Sequence, residues 1–121
     1  MGEIRSYRDL VVWQQAIELA VAVYKHCSAW PKDELYGLIS QARRAAVSIA
    51  ANIAEGYGRD NRGSYVQFLR IAQGSLKELE THMLLAERLE LSSERDTASV
   101  LERAEAVGKM LRALIRKLEA N

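Results

Sequence analysis

Cysteine occurs once in this 121-residue chain, at Cys27, which excludes an internal disulfide framework and any multi-cysteine metal knuckle and fits a reducing compartment. Proline also occurs once, at Pro31, and the one dense run of glycine is Gly56, Gly58 and Gly63, so breakers divide the chain into a few long segments. An excess of charge of one sign is missing too: 17 Lys and Arg face 16 Asp and Glu, for a formal net charge of +1, which argues against a globally basic nucleic-acid coat or a disordered polyelectrolyte tail. No run approaches the roughly 20 apolar residues of a membrane span, and the charged stretch 1–9 has no apolar core behind a cationic start. A soluble, cytoplasmic chain with no membrane partner is expected. What is present is 49% hydrophobic residues in a length that suits one domain, 1–121.

Those residues are distributed with helical periodicity. Over 9–28 the apolar positions Leu10, Trp13, Ile17, Ala20, Tyr24 and Cys27 recur at three and four, ending at Trp30 and Pro31. A second helix over 33–56 starts with Asp33 and Glu34, carboxylates that offset the N-terminal dipole, and continues through Leu38, Ala45 and Ile49. The stretch 56–64 is the most evident turn, with Ser64 a candidate cap for a third helix over 64–90 carrying Tyr65, Phe68, Leu69, Ala72, Leu76, Leu79, Met83 and Ala86. Ser93 and Asp96 resemble a capping box for a fourth helix over 93–120, striped by Val100, Leu101, Ala104, Val107, Leu111, Leu114, Ile115 and Leu118. No strand pattern competes. Four such helices with short connections specify an all-α, antiparallel up-down-up-down four-helix bundle.

Two features go beyond the core. Gln41, Arg44, Ser48, Asn52 and Glu55 recur at three, four, four and three along the second helix, forming a polar seam between an apolar flank of Leu38, Ala45 and Ile49 and another of Val47, Ala51 and Ala54. Solvent does not require such flanking, so the seam reads either as a recognition groove or as a buried network, with Arg44 and Glu55 neutralising each other, that fixes register or oligomeric state. The second feature appears once the topology is imposed. The end of the bundle shared by the 56–64 turn and the end of the fourth helix collects Arg59, Arg62, Arg70, Lys109, Arg112, Arg116 and Lys117. These cations suit phosphates, and Tyr57 and Tyr65 suit stacking on unpaired bases, which makes a candidate nucleic-acid surface. The plainer reading is that cations near a helix C-terminus offset its dipole.

Catalytic chemistry does not converge. His26 and His82 stand on different helices with no partner at metal-ligand spacing, Cys27 lies on a core stripe, and the glycines follow a helix without the GK[ST] of a phosphate loop. A core thiol and surface imidazoles are expected, with no metal, no cofactor, no small-molecule substrate and no enzymatic activity.

Four passages carry a family resemblance: 7–13 with Tyr7, Arg8, Asp9, Leu10 and Trp13, then Ala16; Trp30 and Pro31 with Glu34, Tyr36, Gly37 and Leu38; the block 41–56 from Gln41 to Gly56; and 68–80 from Phe68 to Glu80. Over about residues 5–91 the chain resembles the four helix bundle protein family whose founding members are encoded in intervening sequences of bacterial 23S ribosomal RNA genes. The resemblance implies a homo-oligomer, a ring-like homopentamer of bundles, without catalytic activity. The family is also similar to the accessory protein of diversity-generating retroelements, which implies an RNA or ribonucleoprotein partner. The expectation is therefore a non-enzymatic homo-oligomeric bundle that binds RNA or another nucleic acid through its basic pole. The rival is a protein-interaction scaffold or structural oligomer.

Overall fold

The computed structural model describes residues 2–120, which form four α-helices and, among the described residues, no strand: α1 (Val11–Cys27), α2 (Ser40–Tyr57), α3 (Arg62–Arg88) and α4 (Glu94–Ala120). α1 packs on α2 and α4, and α3 packs on the same two, so the helices close the expected four-helix bundle. All four feed one core, whose largest fully buried side chains include Leu19 from α1, Ile49 and Ile53 from α2, Leu69, Leu76, Leu79 and Met83 from α3, and Leu111 from α4.

The starts of the helices differ from the sequence expectation in three places and agree with it in one. Residues Tyr7–Asp9 form a separate 3-10 turn, closed by a capping box in which Arg8 N donates to Ser6 Oγ and Ser6 N donates to Asp9 Oδ2, and the extended Leu10 delays α1 to Val11. The second helix is not continuous over 33–56: a 3-10 turn at Lys32–Glu34 and a π-turn at Leu35–Ile39 precede α2, because Gly37 adopts φ −107° and ψ −111° while Leu38 N donates to Glu34 Oε1 at 3.2 Å. Asn61, not Ser64, caps α3; its Oδ1 accepts from Ser64 N at 2.8 Å, which starts the helix two residues early at Arg62. At the third connection Ser93 does cap as expected, with its Oγ accepting from Asp96 N at 3.0 Å.

The α1 stripe is the other correction. The buried positions are Val12, Ala16, Leu19, Val23 and Cys27, whereas Leu10, Trp13, Ile17 and Ala20 pack only partly on the core and Tyr24 is exposed. The apolar part of this helix is wider than one stripe, so three-four spacing fits more than one face and cannot choose between them.

Helices α2 and α3 approach each other closely at Gly56. A methyl group at Gly56 would stand 2.7 Å from Phe68 Cβ and 3.2 Å from the Tyr65 backbone oxygen, so only glycine lets the two backbones converge before the turn. Gly56→Ala is expected to cost about 1–3 kcal/mol despite its better helix propensity, because neither obstacle is the end of a flexible side chain. An unchanged midpoint in urea denaturation refutes this.

Burial also sets a pH dependence. It pushes the Cys27 thiol from its ordinary 9.0 up to about 11, although the Arg43 guanidinium pulls the other way; Tyr65 is raised as well, by burial first and Tyr57 second. The unfolded chain gives up the Cys27 proton first, so the thiol's contribution is complete below about pH 9 and is lost as pH rises toward 11; that of Tyr65 is likewise lost with rising pH, above its ordinary 10.0. Melting temperature should therefore fall across that window, and less steeply in Cys27→Ala; identical slopes would remove the thiol from the account.

Candidate nucleic-acid interface

Of the seven cations expected at one pole, Arg59 and Arg62 stand at the α2–α3 turn and Arg116 and Lys117 in the last turns of α4, whereas Arg70, Lys109 and Arg112 lie further along the edge where α3 meets α4. Arg70 is bonded to Glu119 at 2.6 Å, tying α3 to the last turn of α4. Further along, a methyl group at Gly108 would lie 3.1 Å from Leu76 Cδ2, and both residues sit near the middle of their 27-residue helices. Lys109 and Arg112 therefore stand near mid-bundle, roughly 12 Å and 8 Å along the axis from Lys117. Lys109 pairs with Glu105 at 3.5 Å, and Arg59 pairs with Glu55 at 3.1 Å while its guanidinium lies 4.5 Å over the Phe68 ring. Arg62 and Lys117 are exposed and also engaged in interactions. Arg112 and Arg116 are exposed and form no ion pair with a described carboxylate.

Between the helices runs a groove with a cavity of about 460 Å³, whose floor is Leu76, Ala104 and Gly108 and whose rims carry Lys77, Glu80, Glu105 and Arg112. The missing side chain of Gly108 leaves this floor low. At the turn, Tyr57 and Tyr65 meet edge to face with ring centres 6.0 Å apart and planes at 88°. Each is half-buried, so one ring edge is spent on the other tyrosine.

The polar seam divides in two. Its middle joins helices: Ser48 Oγ lies 2.8 Å from Ser75 Oγ on α3, and Asn52 Nδ2 donates to Ser48 O at 2.8 Å and to Ser48 Oγ at 2.9 Å. Its ends are exposed, with Gln41 and Arg44 outside and Glu55 turned to Arg59. Arg44 and Glu55 do not neutralise each other within the chain, since eleven residues separate them by about 16 Å along a helix. One apolar flank, Leu38, Ala45 and Ile49, is buried; on the other, Val47 is 46% exposed and Ala51 is exposed as well.

The sequence model of the family described as 23S rRNA-intervening sequence protein matches residues 8–113. The chain belongs to that family. A crystal structure of a protein of unknown function from the S23 ribosomal protein family of Bacteroides thetaiotaomicron is similar in fold, with a TM-score of 0.77 and 26% sequence identity over 87% of this chain and 98% of that one. No curated protein matches the chain. Within the family match lie both passages, 41–56 and 68–80, that meet at Ser48 and Ser75.

Residues considered for chemistry are dispersed. Cys27 is buried, as its place on a core stripe requires. His82 departs from the expected surface imidazole: its side chain is only 12% exposed, one turn from buried Leu79 and Ala86, with Nε2 3.4 Å from Glu78 Oε2. His26 is half-buried too. Among the described residues no three of His, Cys, Asp and Glu gather as a metal set, and no helix is long and apolar enough to cross a membrane.

Ser75 is the functional-looking residue that periodicity missed. Its signal was a hydroxyl beside the core position Leu76, one turn from the apolar Ile71, Ala72 and Leu79. Ser48→Ala and Ser75→Ala should each cost about 1 kcal/mol, and the double variant little more than either one, because the second substitution removes a partner already lost. Additive losses in thermal denaturation would show that the hydroxyls act independently.

Proposed function

We propose that this member of the family is a non-enzymatic homo-oligomer that binds RNA along the α3–α4 edge. The observation that carries the reading is the pair Arg112 and Arg116: exposed, on one face of α4, and without a carboxylate partner among the described residues, beside a groove that Gly108 leaves open. Lys109, Arg70 and Arg59 add cations whose present partners are replaceable, since the side chains of all three pairs are between 45% and 69% exposed. Exposed ion pairs contribute about 0–1 kcal/mol, so exchanging a carboxylate for a phosphate costs little. Tyr57 and Tyr65 border the same region at the turn and offer an aromatic edge to an unpaired base.

Self-association is supported by the outer flank of α2, where Val47 and Ala51 are exposed beside Arg44. One small bundle leaves this apolar surface uncovered, and a second subunit is its natural cover. The same flank supports the second reading, a scaffold that docks a protein partner. A pull-down that keeps its protein partner after nuclease treatment favours the scaffold.

RNA binding is tested by anisotropy across a salt series. Affinity should fall steeply with salt, and replacing both Arg112 and Arg116 by Ala should flatten the log–log slope by about 1.4–1.8. A slope and affinity that do not change would rule out the edge as the contact surface.

A further inference from the structure

The corner where α1 meets the π-turn before α2 holds a second constellation, on the far side of the molecule's α2 helix from Arg59 and the α2–α3 turn. The spacing of the core stripe makes this corner anomalous. Leu35, Ile39, Ala42, Ala46, Ile49 and Ile53 follow one another at four, three, four, three and four, so a regular helix would carry Leu35 into the core with the rest. The other five are buried; Leu35 is 43% exposed, and its neighbour Tyr36 is 93% exposed. The wide turn at Leu35–Ile39, with Gly37 outside helical angles, is what rotates the two side chains outward. An aromatic ring left almost wholly in water gains nothing for the fold, so core packing does not explain it.

Around these side chains lies a cavity of about 380 Å³ lined by Tyr24, Leu35, Tyr36, Ile39, Ser40, Arg43 and Arg44, none of them acidic. Arg43 is held in place without being neutralised: its guanidinium lies 4.6 Å over the Tyr24 ring and Nη2 donates to the Tyr24 backbone oxygen at 3.5 Å, while Nε is buried with no acceptor. Arg44 is exposed, and neither arginine forms an ion pair with a described carboxylate. Two uncompensated guanidinium groups thus line the same cavity as a free aromatic face. Arginine supplies a planar donor fork suited to phosphate oxygens, and tyrosine supplies a stacking surface that any base can use.

We propose that this corner binds an unpaired nucleotide, with the base stacked on Tyr36 and the phosphate held between Arg43 and Arg44. A double helix does not fit the site, because its bases are already stacked. Leu35 and Ile39 cover the apolar side of the nucleotide, and the Ser40 hydroxyl offers a further donor at the cavity wall. The site is independent of the α3–α4 edge, since it shares no residue with it.

The test uses the full chain and three probes: an unstructured adenine-rich RNA heptamer followed by anisotropy, a duplex RNA of equal length, and adenosine monophosphate followed by amide shifts in the NMR spectrum. Tyr36→Ala should weaken heptamer binding by about 5- to 150-fold, the range of one lost base stack, while Tyr36→Phe stays within about twofold. Arg44→Ala should reduce the salt slope by about 0.7. Duplex binding should not respond to Tyr36→Ala. Adenosine monophosphate shifting the amides of residues 35–44 identifies a free-nucleotide site; shifts with the heptamer alone identify a strand contact, and either supports the proposal. Equal heptamer affinity for Tyr36→Ala and the unsubstituted chain overturns it, even where the Arg112 and Arg116 double variant has lost affinity. A fall in light-scattering mass for Tyr36→Ala with heptamer affinity retained also overturns it, and assigns the corner to a second copy of the chain. Because Tyr36 is almost wholly exposed, its replacement should leave the fold intact, which circular dichroism checks directly.

Discussion

Everything on the polar side of this bundle depends on how closely α2 approaches α3. Gly56 admits the Phe68 Cβ and the Tyr65 carbonyl, Ala42, Ala45, Ala46 and Ala50 keep the buried side of α2 narrow, and Ser48 meets Ser75 halfway along. Small side chains let backbones come close, and at that distance two hydroxyls satisfy each other without displacing core packing. The same approach fixes the turn that follows. It lays Phe68 under the Arg59 guanidinium and sets Tyr57 edge-on to Tyr65, so the geometry of the cations and rings near the turn is a consequence of interhelical distance.

A helix that buries mostly alanine against its neighbours has little left to define its outer side. On α2 that side carries Val47, Ala51 and Arg44, neither a polar solvent face nor a packed one. The composition hides this, because the formal charge is near balance and the hydrophobic fraction ordinary.

The bundle itself was legible in the sequence, because three of the four stripes place the same residues in the core: Leu69, Ala72, Leu76, Leu79, Met83 and Ala86 on α3 recur in the structure as they do in the periodicity. The α1 stripe was misplaced for a physical reason: Gln14, Gln15, Glu18 and Lys25 mark a single polar side, and the apolar remainder is wider than one stripe. The start of α3 was misplaced because Asn61, three residues upstream, took the cap expected of Ser64. For the candidate site, residue identities were legible and positions only for the residues nearest the helix ends, Arg59, Arg62, Arg116 and Lys117. Charge along a chain tells which cations share a helix, while the pairing of Leu76 with Gly108 decides that Lys109 and Arg112 flank a groove rather than crown an end. Nothing local announces a π-turn, so the outward swing of Tyr36 was beyond reach of patterning at 3.6 residues per turn.

Near-neutral charge is no obstacle to a nucleic-acid role on these terms. What matters to a phosphate is the local surplus of cations and the ease with which their present partners yield. On the α3–α4 edge Arg112 and Arg116 lack carboxylate partners among the described residues, while Arg70 and Lys109 are matched by single carboxylates that are themselves in water. A surface pair is held by less than about 1 kcal/mol, whereas each phosphate contact on a strand also releases condensed counterions, a gain that a carboxylate on the same protein cannot provide. Under the proposed RNA reading, Glu105 and Glu119 would act less as neutralisers than as placeholders for Lys109 and Arg70, to be exchanged for phosphates. At the Tyr36 corner no such placeholder exists, and the aromatic ring of Tyr24 does that work for Arg43 instead, holding the guanidinium without cancelling its charge.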